Sequence, residues 1–363
     1  MNLIEKPKLW LLTPLLAAIF AGCAGGTLSR SVGRADNGMP QVHRSTIRAV
    51  SAVPEWLRAY SEQSSSVIAP GAARKGMYVS SFNGTEVEGF GNAGKGPLCT
   101  VDTGKDAYVN DIAVDPKGNL IVPLGGSKEI AVYRGPGMCG TEVGSFSDPY
   151  GQPSDAASLN ATTGTIAVAN IVGSGSSPGN IAICTLKAGC TKELTNPNIA
   201  GYGGGVAMAP NGDCWLTSDQ VGSYYIYPPA MTYWKSCTGS GEAVTGYQNT
   251  AYGSISIDSH GDLVSLDLGG YYQDSQLWVY KGCNPNCTLV GGPFPLHARE
   301  VFGGLNQKSD EYGVTEYRGA FYPYSLTDIY RYSPTRVTYK YSFRNFLGAY
   351  EPEGFAFSPS SKR

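Results

Sequence analysis

The sequence predicts an all-β fold assembled from one four-stranded unit repeated around a ring. Three observations predict it: a turn that recurs at a near-constant spacing, apolar runs of strand length around each turn, and two chain ends that complete each other. The clearest copy is Val109–Tyr133, VNDIAVDPKGNLIVPLGGSKEIAVY. Its runs IAV, LIV and IAVY read as three strands, and Asp115-Pro116-Lys117-Gly118-Asn119 carries the Pro and Gly that a reverse turn needs. Related turns stand at Asn160-Ala161-Thr162-Thr163-Gly164, Ala209-Pro210-Asn211-Gly212 and Asp258-Ser259-His260-Gly261. Degraded copies stand at Asn306-Gln307-Lys308-Ser309 and Ser358-Pro359-Ser360-Ser361, so the spacings run from 45 to 52 residues. Four strands in such a period make a β-propeller blade.

The ends fix the number of blades. GMYVSSF, from Gly76, is a second strand without a first, and PEGFAFSPSS, from Pro352, is a first strand without a second. Paired, they complete one blade and close the ring, which removes exposed sheet edges at the seam. The prediction is a six-bladed propeller of four-stranded blades. Its blades are 75–100 with 352–363, then about 108–148, 152–197, 202–245, 251–296 and 299–345. The repeating unit resembles the NHL repeat and the gluconolactonase-like six-bladed propellers, a likeness that extends over nearly all of 75–363.

Ahead of the propeller, the predicted domain at 74–363, come two other segments. In residues 1–23, Lys6 and Lys8 precede an apolar run, Leu9–Phe20, that is short for a membrane span and suits a signal peptide. Ala21-Gly22-Cys23 at its end resembles the lipobox of bacterial lipoproteins, which implies cleavage before Cys23 and a lipid on its thiol. Ala24 then favours the outer membrane. Residues 24–73, rich in Ser, Gly, Ala and Arg, read as a flexible tether. The expected location is the cell envelope, as a membrane-anchored lipoprotein in the periplasm or at the cell surface.

Composition agrees with this reading and narrows the partners. Apolar residues at 42% supply a core, and 48 Gly with 23 Pro suit many short strands joined by turns. Charged residues are only 15% and the net charge is −2, which argues against nucleic acid as a partner. A monomer is expected. Beyond Cys23, eight cysteines remain, an even number that favours disulfides in an exported protein. Cys184 with Cys190 and Cys283 with Cys287 flank short turns between third and fourth strands. Cys99, Cys139, Cys214 and Cys237 stay open, Cys99–Cys139 and Cys214–Cys237 being one arrangement. No CxxC is present, so zinc is disfavoured.

Chemistry-bearing groups are few. Gly89-Phe90-Gly91-Asn92-Ala93-Gly94 satisfies G-x-G-x-x-G, but Lys95-Gly96-Pro97 follows it where a dinucleotide site needs a helix, so it reads as a hairpin turn. The 3 His residues are too scattered for a catalytic triad or a multi-His metal site. The column before each first-strand run holds Asn110, Asp155 and Glu353 on consecutive blades, with Asp111 alongside. Oxygen ligands of this kind suit a hard divalent cation such as Ca²⁺ or Mg²⁺, and they resemble the metal ligands of gluconolactonase-like propellers. That likeness implies a metal-dependent lactonase or hydrolase at the channel mouth as the alternative function. Among 24 Tyr, many in 312–350 suit core packing, whereas Tyr224 and the Tyr271-Tyr272 pair fall at inter-strand loops and suit ligand contact. The favoured reading is a binding module for a protein, glycan or small molecule, with no chemistry of its own and no certain cofactor.

Overall fold

The computed structural model describes residues 76–81, 85–91, 97–104, 111–115, 117–135, 139–160, 164–218, 230–249, 253–267, 275–296, 300–306, 311–316, 325–345 and 352–358. All fall in one compact unit, Pro54–Arg363. The predicted signal peptide with Cys23, and the tether, lie outside the described residues. Among the described residues no helix is long and apolar enough to cross a membrane.

The described strands form six four-stranded antiparallel sheets. The first blade contains β1 (Gly76–Ser81), β2 (Glu86–Gly91) and β3 (Cys99–Asp102); the second contains β4 (Ala113–Val114), β5 (Leu120–Leu124), β6 (Glu129–Tyr133) and β7 (Glu142–Ser147). The third is β8 (Gly151–Asn160), β9 (Thr165–Gly173), β10 (Asn180–Thr185) and β11 (Gly189–Leu194). The fourth is β12 (Gly203–Met208), β13 (Cys214–Ser218), β14 (Ala230–Trp234) and β15 (Glu242–Ala243). Then come β16 (Ile255–Ile257), β17 (Leu263–Asp267), β18 (Gln276–Lys281) and β19 (Thr288–Pro295). The sixth blade is β20 (Glu300–Asn306), β21 (Glu311–Glu316), β22 (Ser325–Ser333) and β23 (Arg336–Asn345). The last strand, β24 (Pro352–Ser358), returns to the first blade and pairs antiparallel with β1, Phe357 opposite Met77 and Phe355 opposite Val79. The closure read from the two chain ends is therefore the observed one. Innermost strands β24, β4, β8, β12, β16 and β20 each contact the next, and β20 contacts β24, so the ring is complete.

The repeated turn has one geometry in three blades. Asp115, Ala209 and Asp258 each donate their N–H to the carbonyl four residues on, and Gly118, Gly212 and Gly261 donate back to them. Those three glycines have φ of 88°, 94° and 83°, a region that side chains disfavour, which is why glycine marks the turn. A carboxylate tightens each: Asp115 accepts from Asn119 N, Asp258 from Asp262 N, and Asp213 from Asn211 Nδ2, with a further bond to Asp213 from Ser236 N in the connection after β14. His260 sits exposed in this column, as a turn residue does.

Strand alternation sends successive side chains to opposite neighbours. Leu120, Val122 and Leu124 of β5 pack towards the first blade, while Ile121 joins Ile166 and Val168 of the third. The core is accordingly divided into six apolar clusters, one at each blade interface, the seam being filled by Met77, Val79, Phe90, Ile329, Phe343 and Phe355. Each fully buried Leu, Ile or Phe contributes roughly 1.5–3 kcal/mol. Tyr312, Tyr330, Tyr332 and Phe343 are buried, so core packing accounts for these members of the aromatic-rich C-terminal stretch.

The eight cysteines form four disulfides: Cys99–Cys139, Cys184–Cys190, Cys214–Cys237 and Cys283–Cys287. Three lie within a blade. Cys99–Cys139 joins β3 of the first blade to the connection between β6 and β7 of the second. Gly89 and Gly91 belong to β2, which pairs antiparallel with β3, so the glycine motif belongs to a hairpin.

Candidate functional site

In antiparallel blades every first strand begins, and every second strand ends, at the same end of the ring. That end is called the mouth here. Asp155 lies in β8 and Glu353 in β24, inner strands that flank β4 in the ring, so the backbone places these two positions on blades adjacent to Asp111. The side chains of Asp155 and Glu353, and the whole of Asn110, lie outside the described residues, as do Tyr224, Tyr271, Tyr272 and His297. Among the described residues no three His, Cys, Asp or Glu side chains gather as metal ligands.

Asp111 immediately precedes β4 and is buried, at 2% exposure. Its Oδ1 accepts from Ile112 N at 2.8 Å and from Phe355 N of the seam strand at 3.3 Å. Its Oδ2 accepts from Ser254 Oγ at 3.2 Å, and Ser254 Oγ in turn accepts from Gly303 N at 3.2 Å. Asp111 belongs to the second blade and Ser254 to the fifth, three blades apart in a ring of six, so this bond crosses the axis. One carboxylate and one hydroxyl thus tie the first, second, fifth and sixth blades together. The inner strands are correspondingly close: a Cβ on Gly205 would meet Gly253 O, and one on Gly304 would meet Phe355 O. The glycine runs of β12 and β20 leave room for that approach. Asp111→Ala is expected to cost about 3 kcal/mol, because it orphans buried donors that bonded to a charge. The urea midpoint of the purified chain measures it, and an unchanged midpoint would contradict the cross-axis tie.

Sequence alignment of the blades stops one residue short of this pair. Asp111 stands before Ile112-Ala113-Val114 as Ser254 stands before Ile255-Ser256-Ile257. They share a column, one residue after the column of Asn110 and Gly253. Comparing residues in blades three apart is the signal that would have found Ser254.

Further out, buried polar side chains pin the inter-blade linkers at the mouth. Asn170 Nδ2 donates to Asp148 Oδ2 at 3.0 Å and to Asn180 Oδ1 at 2.8 Å, while Asn180 Nδ2 donates to Glu193 Oε1 at 2.8 Å and to Tyr150 O at 2.9 Å. Burial raises the Asp148 carboxyl above its ordinary value, partly offset by Tyr150 N–H, Asn170 and the Lys128 charge. Between the fourth and fifth blades, Asn249 donates to Ser265 Oγ at 2.7 Å and accepts from Tyr280 Oη at 2.7 Å. Tyr247 Oη lies 3.0 Å from the same Ser265 Oγ, and burial pushes the Tyr247 and Tyr280 phenols up. The mouth therefore rests on a rigid, hydrogen-bonded frame.

Second-to-third strand connections are uneven around it. In the first three blades they are short, with 125–128 and 174–179 as examples. In the fourth, fifth and sixth they are 219–229, 268–274 and 317–324, outside the described residues but joined to strand ends at the mouth. Their sequences, DQVGSYYIYPP, LGGYYQD and YRGAFYPY, are dense in aromatic residues.

No family model matches the chain, and no curated protein matches it in sequence. In structure it is similar to a protein of unknown function from Bacteroides caccae, at 11% identity and a TM-score of 0.55, over 78% of this chain and 99% of that one. It is also similar to a functionally unknown protein from Desulfotomaculum acetoxidans, at 14% identity and a TM-score of 0.50, over 77% and 84% of the two chains. At these identities the similarity shows a shared propeller fold and carries no activity.

Proposed function

We propose that this chain is an exported, lipid-anchored propeller that binds a ligand or protein partner at its mouth and performs no chemistry of its own. One observation carries the reading: the three aromatic-dense connections all join strands of consecutive blades at one end of the ring, the end where described residues form a frame locked by buried hydrogen bonds. Rigid aromatic side chains on a fixed scaffold give contact area at low entropic cost. Export is supported by four disulfides, which belong to oxidising compartments. The anchor is supported by the lipobox-like Ala21-Gly22-Cys23.

Glycans are the first ligand class to try, since aromatic faces stack on sugar rings. In calorimetric titration against a panel of neutral oligosaccharides, Tyr271→Ala/Tyr272→Ala is expected to weaken any interaction of the parent by about thirtyfold, as for ~2 kcal/mol of hot-spot contact. Tyr339→Ala, at an exposed tyrosine on β23 away from the mouth, serves as the control. Equal affinities for parent and double variant would remove these residues from the site.

A further inference from the structure

Opposite the mouth, the ring presents cations. First-to-second and third-to-fourth strand turns share this end, and Arg134, Lys187, Lys235, Lys281 and Arg336 lie in the latter or at the strand ends that flank them, one in each of five consecutive blades. Lys117 joins them from the first-to-second turn of the second blade, and all six are exposed. The carboxylates of the same turns behave differently. Asp115, Asp213 and Asp258 are buried and hold N–H groups of the turns at this end, so they are withdrawn from the surface. Of the remaining acids at this end among the described residues, Glu311 is 3.4 Å from Lys340 and Asp262 interacts with Lys281, leaving Glu142 and Glu242 exposed.

We propose that this end rests on the anionic headgroups of a lipid bilayer, so that the mouth faces away from the membrane. The cations occupy one end of the ring blade after blade, in an array that matches a flat, laterally diffuse negative surface. A linear polyanion would instead call for a stripe or groove of cations. This inference rests on the lipid-anchor reading, because an anchor at Cys23 with the segment 24–73 behind it keeps a bilayer within reach. The anchor supplies residence and the basic end supplies orientation, two signals that together hold a protein more firmly than either does.

The test uses the purified full chain and vesicles of phosphatidylcholine, with or without phosphatidylglycerol, in a co-sedimentation assay. The parent is expected to partition more strongly into the anionic vesicles. Lys187→Gln/Lys235→Gln/Lys281→Gln is expected to cut that increment by about a hundredfold, and high salt to abolish it. Exposed Lys→Gln changes leave folding intact, which an unchanged thermal midpoint verifies. Equal partition of the parent into both vesicle types, or an undiminished increment in the triple variant, overturns the proposal. Binding to a soluble polyanion such as heparin without any anionic-vesicle increment overturns it too. The anchor is read separately, from release of Cys23→Ser out of the membrane fraction, so either idea can fail without the other.

Discussion

A chain ending before Pro352 is expected to show no cooperative unfolding transition, and adding a synthetic peptide of residues 352–363 is expected to restore it. Without β24 the first blade loses its inner strand and β1 is left with an unpaired edge. Phe355 leaves the seam cluster, where it is 1% exposed and packs beside Phe343, Val79 and Phe90. Phe355 N also leaves Asp111, so the cross-axis tie loses an arm. The side chain alone is worth about 4 kcal/mol on the scale of Phe→Ala substitutions in cores, against a total of 5–15 kcal/mol for an ordinary domain. Phe355→Ala gives the graded form of the same experiment, since that chain retains the strand and should fold with an unfolding free energy in urea lowered by that amount. A truncated chain that unfolds like the parent would mean the seam adds nothing to stability.

The second large effect is expected at Cys99–Cys139. Replacing both by Ser should cost about 4 kcal/mol, whereas Cys283→Ser/Cys287→Ser should cost about 2 kcal/mol, because the sequence separations are 40 and 4 and the entropy withheld from the unfolded chain grows with the loop enclosed. Cys99–Cys139 is also the disulfide that crosses from blade to blade, from the first to the second. Guanidinium unfolding of the two oxidised double variants against the parent measures both losses. If the two losses are equal, or reversed in order, the connection between blades adds nothing beyond a local staple.

The architecture was legible because it is written in short-range chemistry. A turn that demands glycine at positive φ leaves a mark in the sequence at every copy, and Gly118, Gly212 and Gly261 are that mark. The seam was legible for a related reason: strands of period two are recognisable alone, and the two unmatched ones had only each other. Cys184–Cys190 and Cys283–Cys287 were readable because six and four residues leave few other partners. What escaped was long-range. Asp111 and Ser254 are 143 residues apart and neither looks unusual in its own blade, so only the closed ring brings them together. The chain of Asp148, Asn170, Asn180 and Glu193 gave no pattern either, since amides and carboxylates at single positions are ordinary on strands and linkers. The basic end was hidden by a net charge of −2, which sums over the whole chain and says nothing of where the charges lie.

The seam also sets an order of events. During synthesis β1 emerges early and β24 last of the described strands, so for most of that time the first blade must stand with three strands and an open edge. Contacts of such sequence separation form slowly. A polypeptide that cannot finish its ring until its final strand arrives keeps one blade incomplete through most of its synthesis. It also depends, during that interval, on whatever shields the waiting edge. Acquisition of the native shape is then completed by the last strand.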